Sequence, residues 1–236
     1  MLNEASIVTE RLAALQWLRT DGHELILVDG GSDDGTPRLA APWVDRVLSS
    51  AAGRAVQMNA GAAVARGDLL WFLHLDAEPP VGAVEAMAGS IDGGYVWGRF
   101  DVRLSGSAAM LRVVERMMNL RSRLTGIATG DQGLFVVREA FDRAGGYPEL
   151  ALMEDIALSK RLKRAGRPAC LRACIVASSR RWERAGIWRT IVLMWRLRLG
   201  YWLGVEPAEL AHRYGAPGTG SSSASLRVES PTGMRE

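Results

Sequence analysis

Three acidic residues stand at points in the chain where a carboxylate could take part in chemistry. Asp29 follows the apolar run 25–28, and Asp76 follows a longer apolar run over 69–75. Both runs are typical of buried strands, and ligands of an open α/β sheet bind beyond the carboxyl ends of its strands. Asp155 lies far along the chain, in the first turn of a predicted helix. We therefore expect Asp29 and Asp76 to face one crevice.

The segment around Asp76 has the pattern of a site for a divalent cation. His74, Asp76 and Glu78 alternate, and in an extended segment their side chains would point to one side. Mg²⁺ and Mn²⁺ are usually held by one or two carboxylates together with substrate phosphates, where they stabilise a departing diphosphate. The alternative interpretation makes Asp76 a turn or capping acid, with His74 and Glu78 unconnected to a metal.

A glycine-rich turn, residues 30–37, follows the strand that ends at Asp29. Its glycines allow the backbone to approach a phosphate closely, and Thr36 and Pro37 resemble an N-cap and a first helical position. A nucleotide-binding crevice is expected here. Neither the dinucleotide-binding glycine fingerprint nor the phosphate-loop fingerprint is present, which argues against those two classes of enzyme.

An alternation of predicted helices and strands must position these residues. The order up to residue 75 is α-β-α-β-α-β, which predicts an α/β fold with a mostly parallel central sheet and helices on both faces. The predicted helices cover 5–19, 54–66, 81–90, 107–124, 153–162 and 187–205, and the predicted strands cover 24–29, 44–50, 69–75, 95–104, 134–137 and 170–178.

Composition bounds the class of protein. A chain of 236 residues, 48% of them hydrophobic, suits one α/β domain with a sizeable core. The net charge of +3 is spread along the chain, so no nucleic-acid partner is expected. Cys170 and Cys174 are too few for a disulfide framework, which fits a reducing compartment. No signal peptide is visible, and we expect a cytoplasmic protein.

The segment 187–205 is the most membrane-like part of the chain. Three arginines make a membrane span improbable, at roughly 3 kcal/mol for each arginine near the bilayer centre. Trp188, Trp195 and Trp202 recur every seventh residue and form one helical stripe. The stripe either packs against the domain or also lies at a membrane surface. Residues 215–236 are rich in Gly, Ser, Thr and Pro and predict a disordered tail.

An ordered set of motifs resembles the family 2 glycosyltransferases, which have the GT-A fold. The motifs lie at 28–36, 59–68, 74–76, 154–155 and 180–182. A narrower resemblance, at 53–62, 129–133 and 152–162, is to a bacterial subgroup named for arsenosugar biosynthesis. Family members normally open with an apolar strand before the Asn-Glu pair, so the GT-A fold is expected to lack its first strand here. The resemblance implies a GT-A domain over 1–182 and an amphipathic helical extension over 183–214.

The resemblance also implies roles for individual residues. The protein would be an inverting, metal-dependent, hexosyltransferase-like enzyme that moves a sugar from a nucleotide-diphosphate donor to a hydroxyl of a small-molecule or lipid-linked acceptor. Asp155 would be the general base, and Asp76 the main metal ligand, with His74 where the family usually has an acid. The nucleotide would be bound by Glu4, Asp29, Gly31, Ser32 and Arg54. The acceptor and diphosphate would be contacted by Asp131, Gln132, Glu154, Arg181 and Trp182.

Two alternatives stay open. The chain could be a nucleotide-sugar-binding protein without catalysis, which would fit the missing strand and His74. It could also be a peripheral protein that contacts the inner face of a membrane through the Trp-rich helix.

Overall fold

Helices and strands alternate along the first half of the chain, as the sequence predicts. The computed structural model describes residues 1–215, so the predicted disordered tail, apart from its first residue, lies outside the described residues. The helices are α1 Val8–Ala13, α2 Gln16–Thr20, α3 Thr36–Ala40, α4 Arg54–Val64, α5 Ala83–Asp92, α6 Ala109–Thr125, α7 Arg138–Arg143, α8 Glu154–Leu162, α9 Arg180–Ala185, α10 Ile187–Trp202 and α11 Pro207–Tyr214. The strands are β1 Ile26–Asp29, β2 Arg46–Ser49, β3 Leu69–Trp71, β4 Trp97–Leu104, β5 Phe135–Val137 and β6 Ala169–Ala177.

The strands form two sheets. β1 and β2 pair in parallel, with Ile26 opposite Arg46. The second sheet has the order β3-β5-β4-β6, in which β4 and β6 are parallel and β5 runs antiparallel to both of its neighbours. The α/β class is confirmed, and the strand directions are mixed because the short strand β5 inserts between β3 and β4.

The first residue of the chain lies along the edge of β1 that β2 does not use. The Met1 ammonium group donates to the Val28 carbonyl at 2.8 Å, and the Gly30 amide donates to the Met1 carbonyl at 2.9 Å. The side-chain amide of Gln57, on α4, donates to the carbonyls of both Met1 and Val28. These bonds fix the start of the chain beside the carboxyl end of β1.

Three local features differ from the sequence prediction. The helix predicted over 5–19 is broken between α1 and α2, because a tighter turn keeps Leu12, Leu15 and Leu18, spaced by three, in one buried cluster. The strand predicted over 69–75 ends at Trp71, and a turn follows near Asp76.

The third difference is at the start of α3. Its N-cap is Gly35 in a left-handed conformation, and Thr36 is the first helical residue. The Thr36 hydroxyl instead donates to Asp34 and accepts from the Glu4 amide, so it ties the N-terminal segment to the glycine-rich turn.

The cores on both sides of the sheet share strand β4, whose residues Trp97 to Phe100 are all buried. One cluster packs α4, α7 and α8 against β3 and β5, and another packs α5 against β5 and β6. A further cluster joins α8 to the C-terminal helices α10 and α11. No helix within residues 1–215 is both long enough and apolar enough to cross a membrane.

Candidate active site

Side chains from three separate segments meet around Gly130. The Arg54 guanidinium at the start of α4 lies 3.3 Å from His74 Nε2, and its Nε lies 3.0 Å from the Glu154 carboxylate. The Gly130 amide donates to Asp155 Oδ2 at 2.9 Å. A Cβ atom on residue 130 would lie 2.2 Å from the Arg54 Nη2 and 2.7 Å from His74 Nε2, so only glycine fits between these groups. We call Arg54, His74, Gly130, Glu154 and Asp155 the central cluster.

The charges in the central cluster influence one another. Burial raises the pKa of Glu154, which is 2% exposed, and the nearby Arg54 partly offsets this rise. Although desolvation opposes it, the pKa of Arg54 is raised because Glu154, Asp155 and Asp131 surround it. Burial and then the Arg54 charge lower the pKa of His74 to about 4, so its imidazole is neutral at neutral pH. Glu154 Oε1 makes no aligned hydrogen bond within the described residues, although it stands at ion-pair distance.

The acidic pair begins helix α8 from an unusual backbone conformation. Met153, its N-cap, has φ 70° and ψ 16°, a left-handed conformation that costs a non-glycine residue about 1 kcal/mol. The turn separates the two acids: Glu154 points into the protein, whereas Asp155 is half-buried. Asp155 Oδ1 also accepts the amide of Ile156, so backbone donors fix its orientation. The half-buried carboxylate is the one that a substrate can reach.

Asp29, at the end of β1, organises the glycine-rich turn. The amides of Gly31 and Ser32 donate to its Oδ2 at 3.0 and 2.8 Å, and the Ser32 hydroxyl donates to its Oδ1. The Asn3 amide in turn donates to the Ser32 hydroxyl. The predicted nucleotide residues of this region are therefore brought together, with Asp29 buried beneath the turn.

Of the three predicted metal ligands, Asp76 has the free carboxylate. Its side chain is 39% exposed, and its nearest cationic partner is Arg180, at 3.8 Å. Burial raises the pKa of Glu4. The charge of the neighbouring Arg180 opposes this rise, and the charge of Asp76 adds to it.

The other two predicted ligands have different partners. The His74 ring nitrogen faces Arg54, and the Glu78 carboxylate pairs with Arg11. Both backbone groups of Glu78 also bond to Val176 of β6. Because a turn separates β3 from Glu78, the alternating pattern does not place the three side chains on one side. Within residues 1–215 no three His, Cys, Asp or Glu side chains converge as a protein-only metal site would require.

The predicted acceptor residues have different surroundings. Asp131 is half-buried beside the central cluster, whereas Gln132 is fully buried. The side-chain oxygen Oε1 of Gln132 accepts from the Thr129 backbone amide, closing a capping box that holds the turn. Arg181 stacks on the Tyr214 ring at 3.6 Å and donates to the Tyr214 carbonyl. Trp182 packs against the cluster formed by β4 and α6.

Several residues at the site carry no sequence signal that points to it. Burial raises the pKa of Tyr214, at the end of α11, and the charges of Arg181 and Arg54 partly oppose this rise. Arg121 on α6 has two buried guanidinium nitrogens without a hydrogen bond in the described part of the chain. Burial and the Arg198 charge lower the pKa of Arg121 to about 10. Long-range packing brings Tyr214 and Arg121 to the site, and neither lies within a motif. Gly130 does lie within the motif at 129–133, but no role was assigned to it.

Comparison with solved structures shows the same fold in nucleotide-sugar enzymes. A mannosyltransferase, PcManGT from Pyrobaculum calidifontis in complex with GDP-Man and Mn²⁺, matches with a TM-score of 0.60 and 20% identity over 90% of this chain and 62% of its own. TarS of S. aureus matches with a TM-score of 0.60 and 16% identity over 75% of this chain and 35% of its own. Glucosyl-3-phosphoglycerate synthase from Mycobacterium tuberculosis, in complex with Mn²⁺ and UDP-glucose, matches with a TM-score of 0.52 and 20% identity over 75% and 67%.

The matching region spans less than two thirds of the length of the first two of these structures. A search of curated proteins gave no match. The model of one family, Glycosyl transferase family 2, matches residues 1–143, which is more than half of the chain and includes the glycine-rich turn, Arg54, Asp76 and Gly130. The chain therefore belongs to glycosyl transferase family 2.

Proposed function

We propose that the protein is an inverting glycosyltransferase that moves a sugar from a nucleotide-diphosphate donor to an acceptor hydroxyl. The observation that carries the proposal is the central cluster. There, a reachable carboxylate, Asp155, is oriented by the Gly130 amide directly beside the Arg54 cation. A fixed base next to a cation is the arrangement that deprotonation of a hydroxyl and departure of an anionic diphosphate require.

The donor side of the proposal is supported by the glycine-rich turn and Arg54. The turn is held by Asp29 and the N-terminal segment, and it lies at the carboxyl end of β1, where nucleotides bind in α/β sheets. The Arg54 side chain is 44% exposed, so its guanidinium can contact a phosphate while it remains paired with Glu154.

A divalent cation fits the residues present at Asp76. This exposed carboxylate, whose ion pair with Arg180 is long at 3.8 Å, would hold Mg²⁺ or Mn²⁺ together with diphosphate oxygens, an arrangement that needs few protein ligands. When bound there, the cation would supply positive charge that stabilises the leaving diphosphate. Because the Arg54 guanidinium lies 3.3 Å from His74 Nε2, we favour Asp76 over His74 as the ligand of the cation.

The chemical step would be a single displacement. Asp155 accepts the proton of the acceptor hydroxyl while that oxygen forms a bond to the anomeric carbon of the donor sugar. The bond between this carbon and the diphosphate oxygen breaks, and the nucleoside diphosphate leaves with the electron pair. Arg54 binds the donor and offsets its negative charge.

We also propose which residue orients the acceptor and which classes of acceptor the protein uses. Asp131 is a half-buried acid whose charge acts on Arg54 of the central cluster, and it is our candidate for orienting the acceptor. The resemblance to the arsenosugar subgroup concerns this choice of acceptor and rests on sequence motifs alone. A small sugar-containing molecule and a lipid-linked sugar are the two acceptor classes to compare.

A donor-hydrolysis assay with Asp155→Asn tests the base. UDP- and GDP-sugars are incubated with Mn²⁺, and release of nucleoside diphosphate is measured with and without candidate acceptors. Replacing a positioned base lowers a rate by about 10²- to 10⁴-fold, whereas nucleoside diphosphate binding by calorimetry should survive. Asp92→Asn, in an exposed position at the end of α5, is the matched control. An active Asp155→Asn protein would contradict the assignment of the base.

Two further outcomes separate the alternatives. Binding of a nucleoside diphosphate without turnover of any donor would indicate a nucleotide-sugar-binding protein. Chelation of the cation should abolish turnover, and Asp76→Ala should lose the response to added Mn²⁺. Turnover that is indifferent to both changes would contradict the cation site.

A further inference from the structure

Two neighbouring helices, α6 and α10, each expose a stripe of large apolar side chains. On α10 the tryptophans at 188, 195 and 202 are 67, 67 and 75% exposed, and on α6 Leu124 is 77% exposed. We call the two stripes together the α6–α10 face; it consists of Val113, Met117, Leu120, Leu124, Trp188, Val192, Trp195, Leu199 and Trp202. The α10 stripe is visible in the sequence as a repeat of tryptophans, whereas the α6 stripe becomes apparent only from the structure.

Each helix already buries its opposite side in the protein. Leu111, Val114 and Met118 of α6 form a cluster with β4, and Ile187 and Ile191 of α10 pack against that same cluster. Farther along α10, Leu197 is buried in the cluster that contains α8 and α11. Because the inward sides are occupied, both exposed stripes lie on the solvent side of adjacent helices. They form one surface without a partner among residues 1–215.

The size of this face exceeds what a monomeric protein in water normally exposes. An aromatic side chain can bury about 150–250 Å², so three tryptophans that are about two-thirds exposed present roughly 400 Å². Six aliphatic side chains add to this area, whereas apolar patches on soluble monomers rarely exceed a few hundred Å². The chain beyond the described residues is poor in apolar side chains of sufficient size, with Leu226, Val228 and Met234 as its three.

The charges on the two helices have one sign. α6 contains four arginines and α10 contains three, and the single acid in either helix is Glu115, which is buried and bonded to Arg112 and the Leu104 amide. Four of the seven arginines are exposed: Arg116, Arg123, Arg189 and Arg196. Arg123 is paired with Asp101, whereas Arg116, Arg189 and Arg196 make no ion pair within residues 1–215. Two copies of the face would bring these three arginines together, and neither helix offers an exposed acid to pair with them. A surface of phosphate groups above an apolar layer complements both the charge and the apolar stripes.

We propose that the α6–α10 face docks on the surface of a lipid bilayer that contains anionic lipids. The helices lie along the membrane plane, with the tryptophan rings at the level of the headgroups and with Arg116, Arg189 and Arg196 on lipid phosphates. The inference is independent of the proposed enzymatic function, because it rests on a surface that lies outside the central cluster.

Flotation of the full-length protein with vesicles tests the proposal. We expect the protein to float with vesicles of phosphatidylcholine and phosphatidylglycerol, to float less with phosphatidylcholine alone, and to detach as salt increases. The triple variant Trp188→Ala, Trp195→Ala, Trp202→Ala should bind anionic vesicles at least about tenfold more weakly. The pair Arg189→Gln, Arg196→Gln should lose the preference for anionic lipid while its apolar stripes remain.

Matched controls guard against loss of folding. Tyr95→Ala removes an exposed aromatic side chain outside the face and should not change flotation. The single variant Trp195→Ala, checked by circular dichroism, provides a second reading if the triple variant does not fold. Absence of flotation for the native protein would overturn the proposal, and so would equal flotation of the folded tryptophan variants. A concentration-dependent dimer that these variants abolish, without vesicle binding, would assign the face to a second copy instead.

Discussion

Replacing Gly130 by alanine is the most direct test of how the central cluster is built. Gly130 does not have a left-handed backbone conformation, so alanine brings no backbone strain of that kind. The new methyl group would, however, lie 2.2 Å from the Arg54 Nη2 and 2.7 Å from His74 Nε2. We therefore expect the substitution to disturb the positions of Arg54 and His74 and to leave the turn itself intact.

The size of the effect follows from these distances. Ordinary contact between such atoms needs about 3.5 Å, so the end of Arg54 must move by about 1 Å. The half-exposed guanidinium can swing towards solvent, but this movement breaks its 3.0 Å contact with the buried Glu154. The free energy of unfolding should fall by about 1 kcal/mol, because the pair is partly screened by solvent. A misplacement of about 1 Å in a catalytic site lowers the rate by about 10²-fold.

The assay compares donor hydrolysis, nucleoside diphosphate binding and urea unfolding for Gly130→Ala and a control. Gly89→Ala is the matched control, since Gly89 lies within α5 with no atom within 4 Å of the added methyl group. The control should keep full activity and gain about 0.5–1 kcal/mol of stability. A Gly130→Ala protein with native hydrolysis and native nucleotide binding would refute the proposed placement of Arg54. A large loss of stability would instead show that the turn, and not the cluster, was damaged.

Three further predictions concern stability and reactivity. Asn59→Ala removes two hydrogen bonds, of 2.8 and 2.9 Å, to the backbone of Tyr147. The free energy of unfolding in urea should fall by about 2 kcal/mol. An unchanged unfolding midpoint would mean that water replaces the Asn59 side-chain amide. Arg121→Met removes a guanidinium with two buried nitrogens that make no hydrogen bond to any residue of 1–215, and it should leave urea stability equal or raise it by about 1 kcal/mol. A clear loss of stability would reveal a further partner. Burial and then the Asp101 charge raise the pKa of the Cys174 thiol, so its alkylation by iodoacetamide, followed by mass spectrometry against pH, should have a midpoint above that of a free cysteine peptide. A midpoint at or below the peptide value would contradict this environment.

The sequence alone was informative where chemistry and local structure coincide. Asp29 lies at the end of a strand and Asp155 in the first turn of a helix, as predicted, because apolar runs and acidic helix starts are local signals. The later elements that were predicted occur in the predicted order, with boundaries that shift by one or two residues at most ends, whereas the short helices α7, α9 and α11 were not predicted.

Contacts between distant segments could not be predicted. The contact of Arg54 with His74 and Glu154 joins residues 20 and 100 positions apart, and no periodicity encodes it. Gln132 has the polarity of a ligand-binding residue, yet the structure buries it in a capping box. The apolar stripe of α6 was also hidden, because the arginines between its members give the helix the composition of an ordinary solvent-facing surface.

The strained turn at Met153 depends on the C-terminal helices of the chain. The match to the family ends at residue 143, before Asp155, and the Met153 side chain packs in a cluster with Leu197 and Leu210 from the last two helices. The left-handed conformation that separates the two acids is thus supported from the C-terminal end of the chain. We therefore expect that exchanging α10 and α11, or cutting the chain after α9, would alter the turn that orients Glu154 and Asp155. The C-terminal helices and the proposed base form one structural unit, so neither can be replaced without the other.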